Sequence, residues 1–267
     1  FGKINGAVGN YNAHVIAYPE VNWTDVSEAF VSSLGLAFNP MTTQIEPHDY
    51  MAKFFHELQA VNQVLLDFNR DIWSYISIGY FKQRLIEKEV GSSTMPHKVN
   101  PIDFENAEGQ IGLAGALLNH LAGKLPVSRL QRDLSDSTAL RSVGTAFGHC
   151  MVAYSSTLRG IQKLDLDKDV IANDLDATWE VLAEAIQTIM RKHGIKEPYE
   201  RLKEWTRGRH FDAAVYRDIL SQVELPAEAL TELEALTPAT YTGLASSLAQ
   251  ETASRIISRK SSKPDTD

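Results

Sequence analysis

The chain has 267 residues, 43% of them hydrophobic, and a formal net charge of −8 at pH 7. That apolar fraction supplies the core of one large domain or two smaller ones, and the acidic balance excludes a chain built to coat nucleic acid while leaving room for a local basic pocket for a small anion. No run reaches the roughly 18 apolar residues of a membrane span, the opening FGKINGAVGN lacks the basic start and apolar middle of a signal peptide, and Cys150, the one cysteine, has no partner for an internal disulfide, as suits a reducing cytosol. The absence of an initiator Met leads us to expect a fragment or a processed chain.

Residues 1–48 read as irregular, punctuated by Gly2, Gly6 and Gly9 and limited by Pro19, Pro40 and Pro47. Asp49 is placed to cap a helix. Phe54, Phe55, Leu58, Val61, Leu65, Phe68, Ile72, Tyr75, Ile76 and Gly79 recur at three and four, which predicts a helix running to near Glu87, about ten turns and over about 50 Å long. The polar loop GSSTMPHKVNP, Gly91 to Pro101, follows. A second helix is predicted from Pro101, a residue suited to a first turn, through Ile102, Glu105, Ala107 and Ile111 into the small-residue run IGLAGALLNHLAG. A third, from about Ser137 to Ile161, is rich in Gly and Ala, which permits close helix contact. Beyond Leu164 the composition turns acidic (DLDKDVIANDL), as in a linker with a helix start. Shorter helices are predicted at Trp179–His193, stopped by Gly194, and at Pro198–Arg207, Pro226–Leu236 and Tyr241–Ser258, with a polar tail, RKSSKPDTD, read as disordered. No strand-like alternation persists and no internal repeat is present. The fold class is therefore all-α: a long-helix bundle over residues 1–163 and a small helical domain over residues 164–267.

Three clusters carry candidate chemistry. In the loop, Lys98 and Asn100 straddle one residue and can address one anion, and the backbone N–H groups of 91–93 can form an anion nest. A serine hydroxyl becomes a useful base only where such donors and a nearby ammonium stabilise its alkoxide. Ser92 is placed for this, and spacing alone leaves Ser93 open. The bland alternative is a flexible connection with His97 and Lys98 in solvent. In SRLQRDLSDSTALR, Ser128 to Arg141, a helix starting near Asp136 puts Ser137 and Arg141 four apart on one face with Arg132 nearby, a hydroxyl and guanidinium arrangement suited to phosphate. A capped helix with a solvated basic flank explains the same residues. In TTQIEPHDY, Gln44 can bind a carboxylate or amide, and His48 reads best as a hydrogen-bonded histidine at a helix start. His120, His149 and His193 fall within helical patterns as structural residues, and the Trp and Phe residues at helical spacing read as core. No HExxH or Cys/His set has metal spacing, and GKINGAVGN lacks the strand-to-helix context of a nucleotide fingerprint. No metal and no cofactor are expected.

GSSTMPHKVNP resembles the signature loop of the fumarase/aspartase superfamily, all-α homotetramers that eliminate fumarate. The His97-Lys98-Val99-Asn100 variant, TTQIEPHDY, LPVSRLQRDLSDST and GKINGAVGNYNAH together resemble the adenylosuccinate lyases of bacterial type, from Phe1 to about Arg209 and more loosely to Ser258. The resemblance implies a cytoplasmic purine-biosynthesis enzyme that releases fumarate from adenylosuccinate, giving AMP, and from the succinylaminoimidazole carboxamide ribotide (SAICAR), giving AICAR. It implies Ser92 as the base that removes the succinyl Cβ proton, Lys98 and Asn100 on the succinyl carboxylates with Ser93 beside them, and Glu105 as the carboxylate that orients a general-acid histidine. Gln44 and Arg132 become substrate contacts, Ser137 and Arg141 lie at the nucleotide phosphate, and the loop closes over substrate. The implied partners are the small-molecule substrate and identical copies in a homotetramer with active sites shared between subunits, with no nucleic acid and no membrane. No THGQPA-like stretch, which bears the family's acid histidine, occurs in the chain. The 267 residues alone are therefore expected to be inactive although able to self-associate. The competing readings are another fumarate-releasing lyase, such as an argininosuccinate lyase or aspartase, and a non-catalytic helical scaffold.

Overall fold

The computed structural model describes residues 1–84 and 100–261, with side chains through residue 258. It divides into two units, Phe1–Leu166 and Asp167–Asp267.

The first unit opens with two helices where an irregular segment was expected: α1 (Asn12–Ala17) and α2 (Trp23–Ser33). Asn22 caps α2 by accepting the Asp25 N–H at 3.4 Å, and Asp25 stands in the first turn, a start signal that the surrounding prolines obscured. Three long helices follow, α3 (Asp49–Ser77), α4 (Ile102–Lys124) and α6 (Val143–Gln162), with the short α5 (Ser135–Leu140) before the last. Helix α3 stops ten residues or so earlier than its periodicity predicted. Gly79 takes φ +84°, its N–H donates to Ile76 O, and the Tyr80 N–H donates to Tyr75 O. This is a Schellman closure, and it needs a residue free to enter the left-handed region. Gly79 falls on the helical spacing, so the repeat alone could not reveal the stop. The chain then enters a two-stranded antiparallel ribbon that the alternation test missed, β1 (Phe81–Gln83) against β2 (Leu164–Leu166), with Phe81 opposite Leu166 and Gln83 opposite Leu164. Pro101 is the N-cap of α4, and its carbonyl accepts from Phe104 and Glu105. The third predicted helix is divided into α5 and α6. Arg141 and Ser142 keep right-handed dihedrals across the break, which is why the pattern read as continuous.

Side-chain pairs fix the packing. Arg70 meets Glu108 and Trp73 meets Glu105, so α3 and α4 are antiparallel. Asn106 meets Ser156 and His149 meets Gln110, so α4 and α6 are antiparallel as well. The core is built from Phe55 of α3, Leu118 and Leu121 of α4 and Ala146, Cys150 and Ala153 of α6. Small residues bring α4 and α6 close. A Cβ on Gly160 would lie 2.7 Å from the ring of buried Phe104. Neutral polar groups are paired inside the bundle: Tyr154 OH donates to Asn62 at 2.6 Å, Asn62 donates to Cys150 Sγ, and Thr157 donates to Asn69. The Tyr154 hydroxyl is pushed up to about 12, first by burial and then by Cys150 beside it. The expectation that aromatic residues at helical spacing are core is corrected for Phe54, Phe68 and Trp73, which are exposed. Helix α3 is apolar on more of its circumference than α4 and α6 cover.

The second unit contains α7 (Lys168–Asp176), a 3-10 turn over Trp179–Leu182, α8 (Ala183–Lys192), α9 (Pro198–Thr206), α10 (Ala213–Gln222), α11 (Ala227–Glu234) and α12 (Ala245–Ser261). Helix α8 ends before Gly194 at φ +74°, and its predicted first turn is 3-10 instead of α. Helix α10 was missed, although Asp212 caps it by accepting the Val215 N–H at 2.8 Å. Leu182, Ile186, Met190, Tyr216, Ile219 and Leu233 form a separate core, tied by Tyr216 OH to Leu233 O at 2.7 Å. Helix α12 runs into the stretch predicted as a disordered tail, as far as Ser261, and the rest of that stretch lies outside the described residues. Among the described residues, no helix is long and apolar enough to cross a membrane.

Candidate active site

The three-helix scaffold sorts the candidate residues to its two ends. Asn100 and Glu105 belong to the start of α4. Glu105 is exposed and accepts the Trp73 indole N–H at 3.1 Å, so the end of α3 holds the carboxylate in place. Ser92, Ser93 and Lys98, with His97, lie outside the described residues. The chain leaves at Arg84 and is described again from Asn100.

The other end holds Gln44, Arg132, Ser137 and Arg141. Gln44 precedes α3, is exposed, and lends its carbonyl to Lys3 Nζ at 2.5 Å. Lys3 also donates to Thr43 O and Gly6 O, and burial lowers its pKa. Asn5 donates to Thr42 Oγ1 at 2.9 Å. Gly9, at φ +75°, passes so close to Thr42 O that any Cβ would collide with it at 1.9 Å. The glycine-rich opening thus serves as a backbone seat for the segment carrying Gln44. His48 starts α3 in the left-handed region at φ 63°. Its backbone N–H donates to Glu46 at 2.9 Å, while its ring Nδ1 lies 3.6 Å from the same carboxylate, outside hydrogen-bond reach. The expected hydrogen-bonded histidine is therefore tied down through its backbone and not its ring.

Arg132, Ser137 and Arg141 follow α4. Asp133 organises this loop. It accepts from the Ser135 hydroxyl and N–H, from Arg129 through backbone and guanidinium, and lies 3.9 Å from Lys124 Nζ, while its own N–H donates to Ser128 Oγ. Those donors, the Ser135 hydroxyl first, hold its carboxyl well below the usual carboxylate range. Buried Asp136 accepts the Ser137 N–H at 2.8 Å and lies 4.0 Å from Arg132 Nε. Ser137 Oγ donates to Leu134 O, and Arg141, one helical turn further on at the end of α5, is exposed. Asp133 was not singled out in the sequence, and Asp136 was named there only as a helix start. The signal for Asp133 was an aspartate flanked by Ser128 and Ser135, the side-chain-to-backbone pattern of a structured turn.

Helix α4 has 23 residues, which at 1.5 Å each separates the two groups by about 34 Å. One copy of the chain brings Gln44, Arg132, Ser137 and Arg141 to one end and Asn100 and Glu105 to the other. His149 is held by Gln110 at 2.5 Å, and His120 and His193 are exposed. Among the described residues, no group of three His, Cys, Asp or Glu is arranged to hold a metal ion.

The lyase family, described as "Lyase", matches residues 1–114, and "Adenylosuccinate lyase C-terminal" matches residues 128–242. In shape the chain resembles a 3-carboxy-cis,cis-muconate lactonizing enzyme from Pseudomonas putida, with a TM-score of 0.64 and 26% identity over 91% of this chain and 55% of that one. The architecture is thus that of the all-α fumarase/aspartase lyases. The adenylosuccinate lyase of Escherichia coli K12 is 57% identical over 250 residues, 94% of this chain and 55% of the relative. That of Vibrio cholerae is 58% identical over 244 residues, 91% and 54%. The chain belongs to the adenylosuccinate lyase family. It spans about half the length of the curated relatives it matches.

Proposed function

We propose that a full-length protein carrying this chain is a cytoplasmic adenylosuccinate lyase of purine biosynthesis, eliminating fumarate from adenylosuccinate to give AMP and from SAICAR to give AICAR. The observation that supports this most is the 57% identity to an adenylosuccinate lyase over 94% of this chain.

The chemistry follows from the residue types. Ser92 takes the proton from the succinyl Cβ. The electron pair left behind spreads onto the adjacent carboxylate, where the charge of Lys98 and the amide of Asn100 stabilise it, with Ser93 beside them. The carbon–nitrogen bond then breaks, and the departing nitrogen takes a proton from an acid that Glu105 orients. Each proton transfer contributes about 10²–10⁴-fold. Arg132, Ser137 and Arg141 take the nucleotide part, the last two its phosphate, and Gln44 contacts the substrate. A phosphate site favours this reading over an argininosuccinate lyase or aspartase, whose substrates carry none.

The two groups of residues meet only if different copies of the chain contribute opposite ends to one site, as in a homotetramer. An apolar face lined by Val61, Val64, Leu65, Phe68, Leu158 and Ile161 along α3 and α6 supports such association. The experiment is a spectrophotometric fumarate-release assay on the full-length lyase. It is repeated on a mixture of two inactive variants, Glu105→Gln and Arg141→Ala. Fumarate release by the unsubstituted protein and recovery of activity on mixing are expected. No release refutes the activity, and release without recovery refutes the shared site.

A further inference from the structure

We propose that Lys163, helped by Arg159, is a positioning residue for the substrate-binding turn at Asn100–Glu105. This rests on the functional reading above. Lys163 Nζ lies 2.7 Å from Asp103 Oδ2, and both side chains are nearly sealed from solvent, at 9% and 8% exposure. Arg159 Nε reaches the other Asp103 oxygen at 3.3 Å. Arg159 also donates to Ser156 Oγ at 2.9 Å, and the same hydroxyl accepts from Asn106 at 2.7 Å. The first turn of α4 is therefore held at two positions, Asp103 and Asn106, by the end of α6. On its opposite flank Glu105 is held by Trp73 of α3, so the turn is fixed against rotation as well as translation.

The same stretch of α6 and β2 also holds the chain where it departs. The Arg84 N–H donates to Lys163 O at 2.8 Å, its guanidinium donates to Gln162 O at 2.5 Å, and Nε lies 3.4 Å from Asp165 Oδ1. Residue 84 and the 103–106 turn are thus referenced to one anchor.

Stability alone does not account for a buried ion pair here. Desolvating both charges offsets most of their attraction, and apolar replacements of like volume are often neutral or better. What an apolar pair cannot supply is direction. Three charged or polar contacts at fixed angles set the turn that presents Asn100 and Glu105, and displacement of reacting groups by about 1 Å can lower a rate by the order of 10²-fold.

The test is made in the full-length lyase carrying this sequence. Lys163→Met should lower kcat by about 10-fold to 10²-fold while AMP affinity stays within about twofold, because the phosphate residues stand about 34 Å away along α4. Lys163→Arg should recover most of the lost turnover. A kcat within about twofold of the unsubstituted protein overturns the proposal. So does a parallel loss of AMP binding, which marks general disruption. If Lys163→Met does not fold, Arg159→Met decides, since Arg159 is half exposed: a fall in kcat of about threefold or more at unchanged AMP affinity supports the proposal, and an unchanged kcat overturns it. An unsubstituted protein that releases no fumarate from adenylosuccinate sinks the functional reading and this proposal together. An active one whose Lys163 and Arg159 variants keep their kcat sinks only the positioning role.

Discussion

Gly160→Ala and Gly148→Ala place the same change on the same helix, α6, with opposite expected outcomes. At Gly148 nothing lies within 4 Å of the added Cβ, so the variant gains helix propensity, about 1 kcal/mol. At Gly160 the added carbon meets Phe104 Cζ at 2.7 Å, Cε2 at 2.9 Å and Cε1 at 3.0 Å, all inside the 3.4 Å at which ordinary contact begins. Phe104 is 1% exposed, so its ring has no open space to turn into and the start of α4 must shift. Overpacking of this kind costs about 1–3 kcal/mol, which offsets or exceeds the propensity gain. Gly160→Ala should therefore fall about 1–3 kcal/mol below Gly148→Ala, several degrees in Tm for a unit of this size. Circular dichroism of both variants through thermal and urea unfolding measures the gap. Equal stabilisation by the two substitutions would refute the close packing of α4 on α6.

Ser92→Ala in the full-length lyase should lower kcat by at least about 10²-fold with substrate still bound, and a loss confined to Ser93→Ala moves the base by one residue. Arg141→Ala should weaken AMP binding by the roughly 1.5–3 kcal/mol of a charge-assisted contact and fumarate binding far less, so equal losses in calorimetry contradict the phosphate assignment. Asp133 is held below its ordinary 3.8, so its contribution to stability is complete above that value and is lost progressively as pH falls beneath it. Urea midpoints between about pH 5 and pH 2.5 should fall less steeply for Asp133→Asn, and an unchanged slope would acquit the Ser128–Ser135 network.

The periods of three and four disclosed α3, α4 and the continuous α5–α6 stretch because long amphipathic helices repeat their burial many times. The ends were harder to place. Gly79 sits on the helical spacing and yet takes the left-handed dihedral that closes α3, and only the bonds from Gly79 and Tyr80 distinguish a stop from a continuation. Ribbon β1–β2 joins three-residue strands some eighty positions apart, too short for alternation to register. Short α10 was passed over even though Asp212 offered a capping signal. Among the candidate residues, Gln44, Asn100, Ser137 and Arg141 were picked out from local motifs, with Arg132 beside the last two, and Glu105 from the family resemblance alone. Their distribution between two ends was not, because it depends on the antiparallel course of α4. The Asp103–Lys163 contact spans sixty residues, and a single sequence carries no mark of such pairing.

The antiparallel course also bears on how the proposed chemistry is assembled. A 23-residue helix is about 34 Å long, and a nucleotide is far shorter. No rotamer change within one bundle brings Arg141 to the same ligand as Asn100, because the helices between them are packed through Phe55, Leu118 and Ala146 toward one end and Ala107, Ile111 and Ala153 toward the other and close-packed interiors do not stretch. Rigid separation suits a shared site. Antiparallel copies side by side would bring the phosphate end of one bundle to the succinyl end of another, and the apolar face on α3 and α6, formed by residues 61–68 and 154–161 on the side of the scaffold, is where such contacts would form. Under the proposed reading, the same straightness that makes a single copy incomplete would let several copies hold their contributed side chains in register.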